Sequence, residues 1–412
     1  MLIDLTNVFQ SRKVYSIRRQ TYVSRAKLFL SMLKERFLTI RQHTEAICTP
    51  LQTEDYVVQP TGDVSPPKWH LAHSTWFWEE FVLAKHQPGY ERFHPRYSFL
   101  FNSYYNSVGD RVLRLDRGNM SRPTVSEIKD YRKYVDEHMT RLLENLPGDV
   151  TELVELGLQH EQQHQELLYT DIKYIFGHNP LFPVYDKDFK ETRPENIAPG
   201  FIPVPEGLYP IGFTGSGFSF DNEHNAHKHF LPSFQIAGSL VSNAEYLEFV
   251  HDRGYKNPQF WHSDGWNWVN EHTIESPLYW HFIDGQWHRY SLAGLETLQP
   301  HEPVTHISMY EASAFAEWKQ MRLPTEMEWE AASDRFAWGQ RWEYTSSAYL
   351  PYPGYQKPVG AIGEYNGKFM INQMVLRGAS VATPSGHSRK TYRNFFHPHL
   401  QWQFNGIRLC KK

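Results

Sequence analysis

Prolines at positions 180, 183, 194 and 199 divide this chain of 412 residues into two textures. Before them, apolar residues recur at helical spacing. After them, short apolar runs separated by glycine turns read as strands. No single periodicity covers both, and the length exceeds what one ordinary core encloses. Two domains of different class are therefore expected, a helical part over 1–190 and a mixed part over 195–412, with the boundary near 185–198.

Residues 24–47 carry Leu28, Met32, Phe37 and Ile40 at helical spacing, with Lys34, Arg36 and Arg41 between them. Ser65-Pro66-Pro67 reads as an N-cap followed by proline in the first turn, opening a helix through Trp69, Trp76, Phe77 and Phe81. Ile128, Tyr131, Val135, Met139 and Leu142 mark a third helix across Pro123–Asn145. Leu153–Ile175 form a fourth, stopped at Gly177-His178-Asn179-Pro180. Four such helices predict a four-helix bundle. Beyond it, strands are expected at Phe201–Val204 and Tyr209–Gly212, short helices at Asn243–Asp252 and Tyr310–Gln320, and a last strand at Gly406–Leu409. That pattern describes an irregular α+β domain.

Lys and Arg number 42 against 46 Asp and Glu, so charge favours neither nucleic acid nor a membrane surface. No run of about 18 apolar residues suggests a membrane helix. The start, Met1-Leu2-Ile3-Asp4-Leu5-Thr6-Asn7, lacks the basic and apolar regions of a secretory signal. Cys48 and Cys410 fall in different expected domains, which argues against a disulfide and for a reducing, cytoplasmic setting. The abundant aromatic residues mostly build cores; the remainder could line a pocket for a flat or cationic small molecule.

His160-Glu161-Gln162-Gln163-His164 places two imidazoles one turn apart on one helix. Leu156 and Leu168 flank them at i−4 and i+4, so both face the bundle interior. A third comes from Trp69-His70-Leu71-Ala72-His73. His73, with Trp69, Trp76 and Phe77 around it, faces inward; His70, with Ser74 at i+4, has the more polar setting. A lone inward histidine is usually a hydrogen-bonded core residue, but three converging ones each need a partner, and a metal supplies it. Three neutral nitrogens can hold Zn²⁺ or Fe²⁺, so the ligands alone do not decide the metal. The same segment satisfies His-Glu-x-x-His, the zinc-hydrolase helix with Glu161 as general base, although no third ligand stands at the usual downstream spacing. A non-catalytic binding module with structural histidines is the remaining alternative. Between the helices, Tyr104 and Tyr105 lie in the polar loop Phe101-Asn102-Ser103-Tyr104-Tyr105-Asn106-Ser107-Val108-Gly109, where one phenol could serve an open metal site as proton donor.

The segments Asp55-Tyr56-Val57-Val58-Gln59-Pro60, Ser65–His73 and His160–Glu166 resemble a DinB-like four-helix domain. Val241–Tyr246, Pro303–Ser308, Arg322–Glu330, Leu376–Ser380 and Gly406–Leu409 resemble the formylglycine-generating-enzyme fold, a C-type-lectin-like α+β domain. In this order the two look like the ergothioneine-biosynthesis sulfoxide synthases. The resemblance implies a mononuclear non-haem Fe(2+) enzyme that uses O₂ to join a thiol to C2 of the hercynine imidazole and yields a sulfoxide. It implies His73, His160 and His164 as iron ligands, and Gln163 as the imidazole-contacting residue. It assigns Asn394 and Phe395 to the trimethylammonium and carboxylate end of hercynine, and Tyr104 or Tyr105 to the active-site acid. Where one branch carries Asn-Trp-Asp, this chain has Asn394-Phe395-Phe396. Losing that acid implies cysteine rather than γ-glutamylcysteine as the thiol. Ala379 stands where a second glycine usually follows Arg377-Gly378. A related synthase acting on histidine, or with a selenium donor, is compatible with the same residues. The oligomeric state is not legible.

Overall fold

A computed structural model describes residues 6–192 and 200–412, with side chains from residue 27 onward apart from 361–362. The expected junction at 185–198 and the chain start therefore lie partly outside the described residues. The first half is built on α1 (Thr6–Cys48), α2 (Pro67–Phe77), α5 (Val125–Leu142) and α6 (Thr151–Gly177). A π-helical stretch, Trp78–Leu83, carries α2 into the short α3 (Ala84–His86), and α4 (Tyr97–Phe101) precedes the tyrosine loop.

Each long helix forms where its apolar stripe was expected, with two corrections. In α1 the buried stripe is Leu33, Phe37, Ile40, Thr44 and Ile47, whereas Leu28 and Met32 are 63% and 57% exposed. Leu28 and Met32 therefore lie on the side of α1 turned to solvent. Ser65 does not cap α2; Pro66 holds that position. The Ser65 hydroxyl accepts from Arg117 Nη1 at 2.9 Å, and its N–H is given to Asp171. In α5, Thr124 and Glu127 form a reciprocal capping box, and Ile128, Tyr131, Val135 and Met139 are buried. Helix α6 ends at Gly177, ahead of Pro180.

The second half holds two four-stranded sheets, with short helices between strands. One runs Phe201–Val204 (β1), Phe234–Ala237 (β4), Cys410–Lys411 (β13), Met321–Arg322 (β8); the other Asn394–Phe396 (β11), Met374–Gly378 (β10), Trp342–Ala348 (β9), Asn405–Gly406 (β12). Gly207–Ile211 (β2) pairs with His227–Leu231 (β3), and Trp280–Ile283 (β5), Gln286–Ser291 (β6) and Gly294–Thr297 (β7) form a meander. The segment expected as one strand at 406–409 is two short ones, interrupted where Arg408 turns inward to Glu343 at 2.6 Å. Arg393–Glu326 and Arg377–Glu330 are further buried ion pairs. Breaking any of them by removing one partner strands a buried charge, at about 3–5 kcal/mol. Gly378 has φ +95, a conformation that favours glycine, and an added Cβ would sit tightly, 3.3 Å from Trp329.

Helix α6 joins the halves because each of its faces has a different partner. Glu161 and Gln165 face α1, reaching Arg41, Thr44 and the Ile40 carbonyl. Gly157 lies against α2 and its continuation, where a Cβ would meet Trp78 at 2.5 Å. Gln159, Gln163, Glu166 and Lys173 face the second half, at the three- and four-residue spacing of one helix side. Gln159 Oε1 accepts from His387 Nδ1 at 2.7 Å. Glu166 accepts from Ser380 Oγ at 2.7 Å, Thr383 Oγ1 at 2.8 Å and the Trp342 indole. Lys173 donates to Glu191 at 2.6 Å and lies 2.8 Å from His306 Nε2.

Candidate metal centre

His73 from α2 and His160 and His164 from α6 converge, with one nitrogen of each lying within 4.8 Å of the others. All three are buried. His73 donates its Nδ1–H to the Phe101 carbonyl at 2.6 Å, which leaves Nε2 buried and without a hydrogen-bond partner. Both nitrogens of His160 are likewise buried and unpartnered. His164 Nδ1 lies 2.8 Å from His70 Nδ1, so Nε2 is the nitrogen free for the cluster. Buried imidazole nitrogens without partners are costly. A metal ion held by the three satisfies them together, and this donor set fits one.

The walls are aromatic. Trp69 and Trp76 stack on His73, with centroids 4.5 and 5.3 Å away, and Phe77 stacks on His160 at 4.6 Å. Behind Trp69, the Arg117 guanidinium sits 3.4 Å from the indole centroid. Burial, reinforced by mutual proximity and by Arg117, pushes His73 and His164 well below the usual imidazole range. Burial lowers His160 to about 3 despite the adjacent Glu161. Neutral imidazoles are the form that binds a metal.

Glu161 is turned away from this cluster. It is fully buried on the α1 side and accepts from Arg41 at 3.0 Å, Arg132 at 3.2 Å, Thr44 at 2.8 Å and Trp78 Nε1 at 3.0 Å. Burial alone would raise its carboxyl; Arg41 and Arg132 overcome that and hold it at about 2. A carboxylate so engaged is a structural counter-ion. This argues against the alternative of Glu161 as the general base of a zinc-hydrolase helix.

The tyrosine loop is pinned from the second half. Glu364 accepts from Asn106 N, Ser107 N and Ser107 Oγ at 3.1, 2.9 and 2.7 Å. Lys368 lies 4.6 Å over the Tyr104 ring and bonds the Tyr104 carbonyl and Glu364. Burial alone would raise the Glu364 carboxyl, but the Ser107 and Lys368 bonds bring it down to about 2. Tyr105 is completely buried against Trp76 and Phe81, and Tyr104 stacks on it at 4.6 Å. Burial holds both phenols above their ordinary range, so they keep their protons at neutral pH.

Gln163 donates from Nε2 to the Tyr392 hydroxyl at 2.7 Å and accepts from Tyr365. The Tyr365 ring lies 6.0 Å from His160 and stacks on Phe220. Phe395 stacks on Tyr349 at 4.1 Å, and Phe369 links it to Tyr104, at 5.9 and 5.3 Å. Asn394 is folded onto its own strand, its Oδ1 accepting the Phe395 N–H at 2.9 Å. The three histidines are thus brought together, Gln163 lies one residue from His164 on a neighbouring face, and Phe395 is joined to the tyrosine loop through Phe369. Sequence reasoning missed Tyr365, Tyr392 and His387, which lie in irregular segments with no periodicity to reveal them. It also missed Asp171, although its place two turns after His164 on one helix was a usable signal. A cleft of about 760 Å³, lined by Phe218, Phe220, Asp221, Tyr365 and the start of α6, opens beside Tyr365.

Comparison with known proteins bears on most of the chain. Residues 36–168 match the DinB superfamily and residues 187–341 the sulfatase-modifying factor enzyme 1-like domain. Hercynine oxygenase from Mycolicibacterium smegmatis is 29% identical, covering 84% of this chain and 91% of its own length. The Mycobacterium tuberculosis hercynine oxygenase is 27% identical over the same share of this chain. The formylglycine-generating enzyme of Thermomonospora curvata is 31% identical over 38% of this chain and 58% of its own length. Among the described residues, no helix is long and apolar enough to cross a membrane. The chain is thus similar to the hercynine oxygenases along most of its length, with a DinB-superfamily match in its helical half followed by a sulfatase-modifying factor enzyme 1-like match.

Proposed function

We propose that this protein is an O₂-dependent iron sulfoxide synthase that joins a thiol, cysteine in preference to γ-glutamylcysteine, to C2 of the hercynine imidazole. The observation that carries the reading is the convergence of three buried imidazoles, with unpartnered nitrogens on His73 and His160, in a chain similar to hercynine oxygenases along most of its length. These three residues would hold a ferrous ion. When bound, the ion supplies the Lewis acidity that favours thiolate over thiol and the redox capacity to use dioxygen.

The remaining steps belong to side chains. Gln163 is pre-aligned by Tyr365 and Tyr392, which engage both ends of its amide. It retains a further N–H and a lone pair for a hercynine imidazole. Phe395 offers a ring to the trimethylammonium group, a contact worth about 1–2 kcal/mol when desolvated, and Asn394 would contact the carboxylate end. Tyr104, protonated at neutral pH and held by the Glu364–Lys368 clamp, donates the proton, with Tyr105 packed behind it. Phe396, where one branch of the family has an acid, supports cysteine as the thiol. The binding mode of Glu161 counts against the hydrolase alternative.

The test is anaerobic iron loading followed by mass spectrometry of products from hercynine paired with cysteine or with γ-glutamylcysteine. A hercynyl-cysteine sulfoxide formed only with iron, O₂ and both substrates is the expected result. Absence of any carbon–sulfur product from the iron-loaded protein would refute the reading.

A further inference from the structure

Asp171 lies two turns beyond His164 on α6, on the same side of the helix. Its Oδ2 accepts the Ser65 backbone N–H and the His70 Nε2–H, each at 2.9 Å. The other nitrogen of His70, Nδ1, lies 2.8 Å from Nδ1 of His164. His70 and Asp171 are each 2% exposed, so neither bond competes with solvent.

These contacts assign the protons. An ionised carboxylate only accepts, so His70 carries its hydrogen on Nε2. Its Nδ1 is then an acceptor, and the hydrogen between the two rings belongs to Nδ1 of His164. That leaves the lone pair of His164 on Nε2, the nitrogen not engaged by His70 and so available to the cluster with His73 and His160. His73 is fixed in a comparable way, but by the neutral Phe101 carbonyl. His160 has no such partner at either nitrogen. The three imidazoles are therefore unequal, and His164 is the one backed by a negative charge.

We propose that the Asp171–His70 pair positions and tunes the metal centre. It locks His164 in the tautomer that can bind a metal, and the charge relayed through His70 makes His164 the strongest donor of the three. The proposal rests on the reading of His73, His160 and His164 as ligands. His70 acts through His164 and is a positioning residue, which gives a role to the second histidine of Trp69-His70-Leu71-Ala72-His73.

The test is anaerobic titration of the metal-free protein with Co²⁺, a spectroscopic substitute for a ferrous ion. Affinity is read by competition with a chelator and donor strength from the visible bands. Asp171→Asn keeps the shape and an acceptor oxygen but removes the charge. His70→Gln keeps an acceptor toward His164 but separates it from Asp171. Each is expected to weaken Co²⁺ binding about tenfold or more and to shift the bands, while the metal-free protein melts as the wild type does. A loss of at least threefold in either such variant supports the proposal; if one does not fold, the other carries the test. Binding within threefold of wild type with unshifted bands would overturn it. So would losses confined to variants whose metal-free form also melts early, since the pair would then be structural. If the wild type itself takes up no ion, the three-histidine assignment fails, and this proposal with it.

Discussion

Replacing Glu161 by glutamine would leave Arg41 and Arg132, both buried, facing a neutral amide. The expected cost is about 3–5 kcal/mol, read as a lower melting temperature. A hydrolytic base would instead lose activity without losing stability. The pH dependence has a definite sign. The Glu161 carboxyl is held at about 2, below its ordinary 4.5. Its stabilisation is complete above 4.5 and is lost as pH falls from there toward 2, so acid unfolding of the wild type should steepen in that window and Glu161→Gln should flatten it. Tyr104→Phe is expected to retain the metal yet lose most sulfoxide formation, checked by metal analysis beside product mass spectra; an unchanged product profile would remove Tyr104 from the chemistry. The histidine cluster was legible because spacing and aromatic neighbours mark an inward helix face. His70 was not, because Ser74 suggested a polar setting. Ser74 is in fact fully buried, its hydroxyl taken by the Leu71 carbonyl and Arg132.

At the scale of the element, α6 carries the argument. It supplies two candidate ligands, the counter-ion of α1 and the seam with the second half. Gly157 sets how closely it approaches α2 and its continuation. Gly157→Val would drive a side chain into Trp78 and Phe77. The expected outcome is a loss of about 1–3 kcal/mol in stability by denaturant titration, accompanied by weaker metal retention as His160 moves off His73. Glu166→Ala, on the opposite seam, would leave Trp342, Ser380 and Thr383 without their shared acceptor. It should lower the melting temperature while leaving metal uptake intact. The long helices were readable because buried stripes repeat every three to four residues. Leu28 and Met32 misled that reading, since apolar residues at helical spacing can lie beside the buried stripe rather than on it.

At the scale of the molecule, the hydrophobic core is continuous across both halves, from Trp76 and Leu158 to Trp342 and Phe404. Periodicity could not have revealed this, because the second half is held by buried arginine–glutamate pairs and irregular segments such as 361–373. Motif likeness, not local propensity, made its fold readable: Arg377, Glu326, Glu330 and Arg408 form the buried pairs behind those motifs. The measurement closest to the central claim is iron content after anaerobic loading and desalting, compared among the wild type, His73→Ala, His160→Ala and His164→Ala. About one iron per wild-type chain is expected, with a large loss in every variant, each still folded by circular dichroism. Full iron retention in a folded His73→Ala or His160→Ala protein would contradict that claim.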